Sequence, residues 1–247
     1  MKKVLVTGAS GEIGKQVTKD LLERGYKVVA HSSSDASSSR LRESLESNPL
    51  SENMEYCVCD LSDHAAVESF CKEFGKKNKD LYGVVNNAGV TNDGPLMMQS
   101  RSKIEQTMAV NLFAPIMISK MASKIFMKNK SGSLVNISSV VGEVGNPMQC
   151  IYSTTKAGLL GLTKSMAKEM CMMTKTDQVR VNAVAPGFIQ SKMTDAIPEE
   201  FAEKMREKIP LARVGTSKEV SSVVCFLLSK EASYITGTVF DVNGGML

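Results

Sequence analysis

Short apolar runs recur along the chain at 3–6, 27–30, 54–58, 83–86, 133–137, 179–184 and 238–242, and they read as buried strands. Most are continuously apolar rather than alternating, as strands of a parallel sheet covered on both faces should be. The intervals between them carry helical periodicity. Strand and helix in alternation predict right-handed crossovers, hence an α/β fold: one doubly wound, parallel, seven-stranded sheet with helices on both faces. No internal repeat and no long Pro, Gly or Ser run divides two cores, so residues 1–247 read as a single domain. The serine-rich stretch 32–39 falls where a strand-to-helix loop is due. The longest break in the rhythm is 190–213, which holds Pro198, Pro210 and an expected helix at 199–208. An excursion beyond a strand's carboxyl end lies beside the ligand crevice of an open α/β sheet, so a substrate lid is expected there. Met193 and Met205 are candidates to line it, or simply to anchor its helix.

Composition narrows this picture. With 43% hydrophobic and 23% charged residues the chain can bury a sizeable core, and no stretch combines the length and apolarity of a membrane span. Met1-Lys2-Lys3 opens like a signal peptide, but Val4-Leu5-Val6 breaks at once into Thr7-Gly8, so a cytoplasmic protein with reduced thiols is expected. The net charge of +4 is too small and dispersed to announce a nucleic-acid binder. Cys57 and Cys59 share a strand face. Zinc pairs, however, are usually spaced more widely and come with partners, and only His31 and His64 are present to join them, so no metal site is expected.

The first strand runs into Thr7-Gly8-Ala9-Ser10-Gly11-Glu12-Ile13-Gly14, and an amphipathic helical pattern continues to Arg24-Gly25. Glycines allow a tight turn and close backbone approach, and the helix N-terminus offers amide donors and a positive dipole end to a pyrophosphate. This makes the domain Rossmann-type and dinucleotide-binding, with Gly8, Ala9, Ser10, Gly11, Ile13 and Gly14 as candidate contacts. After the second strand, Ala30-His31-Ser32-Ser33-Ser34 carries no carboxylate before Asp35. Serine hydroxyls, Ser33 among them, can take the extra phosphate of NADP, with Arg40 or Lys15 within reach. NADPH is the expected cofactor, and NADH the alternative.

Tyr152 and Lys156 lie four residues apart in the helical segment 150–170 and therefore share a face. A phenol with a pKa near ~10 is a poor acid-base catalyst at neutral pH, but an adjacent ammonium and a cationic nicotinamide would stabilise its phenolate. Lys156 is the expected tuner and a donor to the cofactor ribose, and Ser139 can align a substrate carbonyl against Tyr152. Alone, such a pair reads as ordinary helix surface. The company changes that: the glycine turn, a strand ending in Asn86-Asn87-Ala88-Gly89, and another ending in Ser138-Ser139.

Together these residues resemble the short-chain dehydrogenase/reductase family over essentially the whole chain, through the turn at 7–14, Asn-Asn-Ala-Gly at 86–89, Tyr-x-x-x-Lys at 152–156 and Ser139. The resemblance implies that Asn111 holds a water for proton relay and that Asp60 and Leu61 flank the adenine. It also implies that Asn87, Ala88 and Gly89 lie near the cofactor and that Pro186, Gly187 and Ile189 line the nicotinamide. Ser138 to Gly142, Ala185 to Ile189 and Val242 to Met246 resemble the branch of 3-oxoacyl-acyl-carrier-protein reductases. That branch implies NADPH-dependent reduction of a 3-oxoacyl thioester in fatty-acid or polyketide synthesis. Reduction of another ketone, or oxidation of another secondary alcohol, is the alternative, and a catalytically silent nucleotide sensor or scaffold comes third. One departure stands out: the family's middle glycine falls at Glu12, with a glycine at 11 instead, where many NADPH-preferring relatives carry arginine. A carboxylate there is expected to repel the pyrophosphate unless it points outward, and a non-glycine to strain the backbone. Lys120, Lys124 and Lys128 recur every four residues, with Lys130 following, so they can attract an acidic carrier protein or form a solvated face. Relatives are commonly homotetramers, and the segment 112–127 carries more apolar residues than one sheet-facing side needs, so self-association is expected.

Overall fold

The computed structural model describes residues 1–45, 49–176, 178–190, 203 and 207–247. Strand β1 (Lys3–Val6) is buried along its whole length, a state that requires cover on both sides. Val4 and Val6 point into one apolar cluster with Val17, Leu21, Val220 and Val224. Leu5, between them, points the opposite way, into a cluster with Val67, Phe74, Ile118 and Phe126.

The remaining strands are β2 (Lys27–Ser32), β3 (Met54–Val58), β4 (Leu81–Asn86), β5 (Gly132–Ile137), β6 (Val179–Pro186) and β7 (Val239–Val242). They form one seven-stranded sheet in the order β3-β2-β1-β4-β5-β6-β7, and every pairing is parallel. The expected Rossmann-type sheet is therefore present. Several strands are longer than their apolar runs because a sheet neighbour pairs polar residues too: His31 and Ser32 extend β2 opposite Cys57 and Val58.

Helices α1 (Glu12–Glu23), α2 (Asp35–Leu45) and α8 (Ser217–Leu228) cover one face. Helices α3 (His64–Lys77), α5 (Ala114–Asn129) and α7 (Cys150–Thr174) cover the other. Between these lie α4 (Arg101–Met108) and α6 (Val141–Val144). A π turn, Ala109–Phe113, joins α4 to α5 into one helix, Arg101–Asn129, which by length and composition alone could cross a membrane. Its inner residues Ala114, Ile118, Ala122 and Phe126 instead pack on the sheet, while Lys120, Lys124 and Lys128 are exposed, as a core helix requires. Helix α7 runs past the expected end at 170 because its inner stripe continues through Met170 to Thr174.

Sheet order reverses between β1 and β4, so the loops after these strands part and leave a crevice at their carboxyl ends. The expected lid at 190–213 touches that edge. Ile189 bridges Gly215, and the Gln190 N–H donates to the Gly215 carbonyl at 2.8 Å, so the excursion leaves and returns at the end of β6. Met193, Met205 and most of the expected helix at 199–208 lie outside the described residues.

Candidate active site

The crevice is assembled by Thr7 and Asn87, at the ends of adjacent strands. The Thr7 hydroxyl accepts from the backbone N–H of Asn87 at 3.0 Å and of Ala88 at 3.1 Å. The Asn87 carboxamide returns two bonds, to the carbonyls of Thr7 at 2.9 Å and Gly8 at 3.1 Å. Gly8 turns the chain at φ +62, and a Cβ there would sit 2.8 Å from the Ala88 Cα. At Gly14 a Cβ would fall 2.3 Å from the Gly8 carbonyl oxygen and 2.6 Å from the Asn87 amide nitrogen, so only glycine lets α1 seat against the turn.

Glu12 corrects an expectation. It is exposed, is absent from the residues with positive φ, and forms the first residue of α1. No backbone strain arises, because a helix's first position has ordinary right-handed geometry and its dipole favours an acidic side chain. Gly11, at φ −79, is the residue before the helix and needs no glycine-specific conformation.

His31 was weighed in the sequence only as a metal ligand, yet it braces this turn. Its Nδ1 accepts from the Gly8 N–H at 3.3 Å and its Nε2 lies 3.0 Å from the Cys59 carbonyl. Burial pushes its pKa down to about 4, so the ring is neutral and donates from Nε2. Burial also pushes the thiols of Cys57 and Cys59 up to about 12 and 11, which keeps them protonated.

A cavity of about 880 Å³ runs along the carboxyl ends of β1 to β6. Of the candidate contacts, Gly8, Ser10, Gly11 and Ile13 line it from the turn, with Ser33 after β2 and Asp60 and Leu61 after β3. Asn87, Ala88 and Gly89 line it after β4, and Pro186, Gly187 and Ile189 after β6. Ala9 and Gly14 sit behind this surface as packing residues. Arg40 and Lys15 are not among the lining residues, whereas Ser34 and His31 join Ser33 there. Two bonds from Ser62, at 2.9 and 2.7 Å, hold Asp60 below its usual carboxylate pKa and fasten that loop.

Ser139, Tyr152 and Lys156 face the same cavity. Lys156 is buried beside the apolar stripe of α7, and its Nζ donates to the Ile137 carbonyl at 2.8 Å. Loss of water lowers its pKa to about 8. For the Tyr152 phenol, Lys156 by itself does not supply the expected tuning. Burial raises its pKa, a hydrogen bond from Ser139 works against the rise, and the Asp93 carboxylate adds to it. Lys156 Nζ stands 5.5 Å from the phenol ring centroid and does not offset the burial.

Asn111 is fully buried, in the π turn that interrupts the long helix. Its carboxamide accepts from the Val90 N–H at 2.8 Å, donates to the Val90 carbonyl at 2.8 Å and reaches Thr155 Oγ1 at 3.3 Å. It therefore stands behind the cavity wall. A Cβ on Gly89 would lie 3.5 Å from Lys156 Nζ and 3.6 Å from Asn111 Oδ1, so both groups converge on that glycine. The sequence reading missed Thr91, Gln106 and Gln149, which also line the cavity. Gln149 directly precedes α7, one turn before Tyr152, and that spacing was its available signal.

A family model described as Enoyl-(Acyl carrier protein) reductase matches residues 8–247. The chain is 39% identical over 247 residues to the 3-oxoacyl-[acyl-carrier-protein] reductase FabG of Staphylococcus aureus (strain Mu50 / ATCC 700699), covering 99% of this chain and 98% of the relative. It is 42% identical over 246 residues to the FabG of Aquifex aeolicus (strain VF5), covering 98% of this chain and 86% of the relative. To that of Thermotoga maritima it is 36% identical over 246 residues, covering 100% of this chain and 98% of the relative. With this sheet, this glycine turn and this full-length similarity, the chain belongs to the short-chain dehydrogenase/reductase family.

Proposed function

We propose that the chain is an oxidoreductase that reduces a 3-oxoacyl thioester, carried on acyl carrier protein, to the 3-hydroxyacyl thioester with NADPH. The observation that carries this reading is the convergence of Tyr152, Ser139 and Lys156 on the cavity that begins at the Gly8 turn. The residues fit a dinucleotide. The glycine cradle is one that a Cβ at position 8 or 14 would fill, the α1 N-terminus opens onto it, and the loop after β2 offers Ser33 and Ser34 rather than a carboxylate. Gly8, Ser10, Gly11 and Ile13 would hold the pyrophosphate, Ser33 the ribose phosphate, Asp60 and Leu61 the adenine end, and Pro186, Gly187 and Ile189 the nicotinamide. Bound there, the cofactor supplies the hydride.

Tyr152 gives its proton to the carbonyl oxygen as negative charge develops on it, and Ser139 donates to the same oxygen. Lys156 would hold the cofactor ribose, and a proton from solvent would return to the phenol through a water at Asn111, Lys156 and the ribose hydroxyl. A phenol raised by burial stays protonated and ready to donate, and the positive charge of oxidised cofactor would then stabilise the phenolate. A proton donor and a hydroxyl aimed at one oxygen suit carbonyl reduction better than reduction of the carbon–carbon bond named in the family description.

Lys120, Lys124 and Lys128 share a groove of about 530 Å³ with Lys72 and Lys76 of α3 and Lys79 just after it, over Met117, Met121 and Ile125. Lys130 is engaged elsewhere, donating to the Thr174 carbonyl at 3.1 Å. The cationic rim and apolar floor favour an acidic helical carrier. Lys120→Glu with Lys124→Glu is expected to slow turnover of carrier-bound substrate and spare a short thioester mimic; equal loss with both would refute docking there. Ile116 and Met127 keep partly exposed apolar surface on α5, in keeping with self-association, which light scattering tests.

The deciding experiment follows NADPH oxidation with acetoacetyl and crotonyl groups on carrier protein. Rapid oxidation by the first alone is expected. Oxidation by the second alone would move the assignment to enoyl reduction, and silence with both, NADPH still binding, would refute the reductase reading.

A further inference from the structure

The loop after β4 does more than carry the Asn-Asn-Ala-Gly run, because it is clasped to the start of the catalytic helix. The Gly94 N–H donates to the Met148 carbonyl at 2.8 Å, and the Gln149 carboxamide donates to Asp93 Oδ2 at 3.0 Å. Thr91 donates its hydroxyl to the other Asp93 oxygen. Gln149 is in turn oriented by Asn146, whose amide donates to Gln149 Oε1 at 2.9 Å. Gln149 is the N-cap of α7, where its carbonyl accepts the Ser153 N–H at 2.7 Å. Met148, just before it, has φ +68, a left-handed conformation that a β-carbon disfavours and that the surrounding bonds must hold.

The far end of the same loop is equally tied. Gln99 donates to the Asn92 carbonyl at 2.9 Å, and Asn92 donates to Thr107 Oγ1 at 3.1 Å, on the helix that leads into Asn111. One surface loop thus connects the helix before Asn111 to the helix bearing Tyr152 and Lys156. Among the described residues of the connection, Asp93 receives a donor from each side, one within its own loop and one from the α7 start.

We propose that Asp93 is a positioning residue for the reaction, holding the first turn of α7 through Gln149 so that Tyr152 meets the substrate oxygen. This inference rests on the reductase reading above. Among the described residues, the charged groups that face Tyr152 are Lys156 from its own helix and Asp93 from the loop, with the Ser139 hydroxyl facing it from the end of β5. Asp93 therefore acts twice, as a hydrogen-bond anchor and as a negative charge that disfavours the phenolate. The two effects separate by mutation, since Gln149→Ala breaks the tie and keeps the charge, while Asp93→Asn removes the charge and keeps the shape.

The test measures kcat against pH for wild type, Asp93→Asn, Asp93→Ala, Gln149→Ala and the Asp93→Ala/Gln149→Ala double variant. Reduction requires the protonated phenol, so activity falls as pH rises through its pKa. Removing the Asp93 charge favours the phenolate, and the alkaline limb moves to lower pH in both Asp93 variants. In Gln149→Ala the limb stays in place while kcat drops by roughly three- to tenfold, the factor one neutral hydrogen bond is worth. The double variant should lose no more than the worse single variant. A limb unmoved by Asp93→Asn, or losses that multiply in the double variant, would overturn the proposal. Ultraviolet titration of Tyr152, taken as the difference from Tyr152→Phe, reads the same charge effect without turnover. A chain inactive with every substrate would fail the reductase reading while this titration still decides the role of Asp93.

Discussion

His31 offers a measurement whose size follows from its surroundings. Buried between the Gly8 amide and the Cys59 carbonyl, its ring has a pKa of about 4 against an ordinary 6.5. The folded value lies below the unfolded one, so the unfolded chain takes up a proton first. This contribution to stability is complete above about pH 6.5 and is lost as pH falls toward 4. Going from about pH 7.5 to about pH 5, the difference in proton binding amounts to about 2 kcal/mol. Surface carboxylates titrate nearby, so the clean quantity is the difference between wild type and His31→Gln, which cannot titrate but can accept from Gly8 and donate to Cys59. Urea unfolding followed by far-ultraviolet circular dichroism suits a chain without tryptophan, with protein concentration fixed in case subunits associate. Wild type should lose about 2 kcal/mol more than the variant over that interval. NADPH affinity should hold over that interval and weaken only toward pH 4, where the folded ring takes up its proton and Nδ1 can no longer accept from the Gly8 turn. Equal losses in the two proteins would refute the buried, neutral imidazole and its bracing role.

Tyr152→Phe should lower kcat by about a hundred- to ten-thousandfold while NADPH fluorescence still reports binding; near-native turnover would remove the phenol from the chemistry. Gly14→Ala places a Cβ 2.3 Å from the Gly8 oxygen, so it should cost about 1–3 kcal/mol of stability and most of the cofactor affinity, and a normal NADPH titration would contradict the cradle. Glu12→Gly removes an exposed carboxylate from the α1 N-terminus and should tighten NADPH by about two- to fivefold, an effect that fades in high salt; unchanged affinity at low salt would show that Glu12 points away from the pyrophosphate.

Much of the fold was legible because burial leaves a local trace. A strand covered on both faces must be apolar throughout, as Val4-Leu5-Val6 is, and a helix on a sheet must repeat its apolar residues every three or four positions. The glycine turn was legible for a similar reason, since a close backbone approach excludes side chains at Gly8 and Gly14. Tyr152 and Lys156 announced themselves through one-turn spacing. Glu12 misled because the glycine pattern marks the turn without saying where helix α1 begins, and one residue decides between a strained position and an ordinary one.

What sequence alone determined is the set of segments and their chemistry: strand, turn, helix, an acid-base pair, and the residues available to each. Tertiary structure decided which of them meet. The β1–β4 adjacency opens the crevice and brings Thr7 to Asn87, 80 residues away. Packing removes water from Lys156 and Tyr152 and so sets the direction of their pKa shifts. It also turns His31 into a brace and ties Asp93 to Gln149 across 56 residues. Periodicity is a property of neighbours along the chain, whereas desolvation and hydrogen bonding depend on neighbours in space, and only the assembled sheet with its helices specifies those.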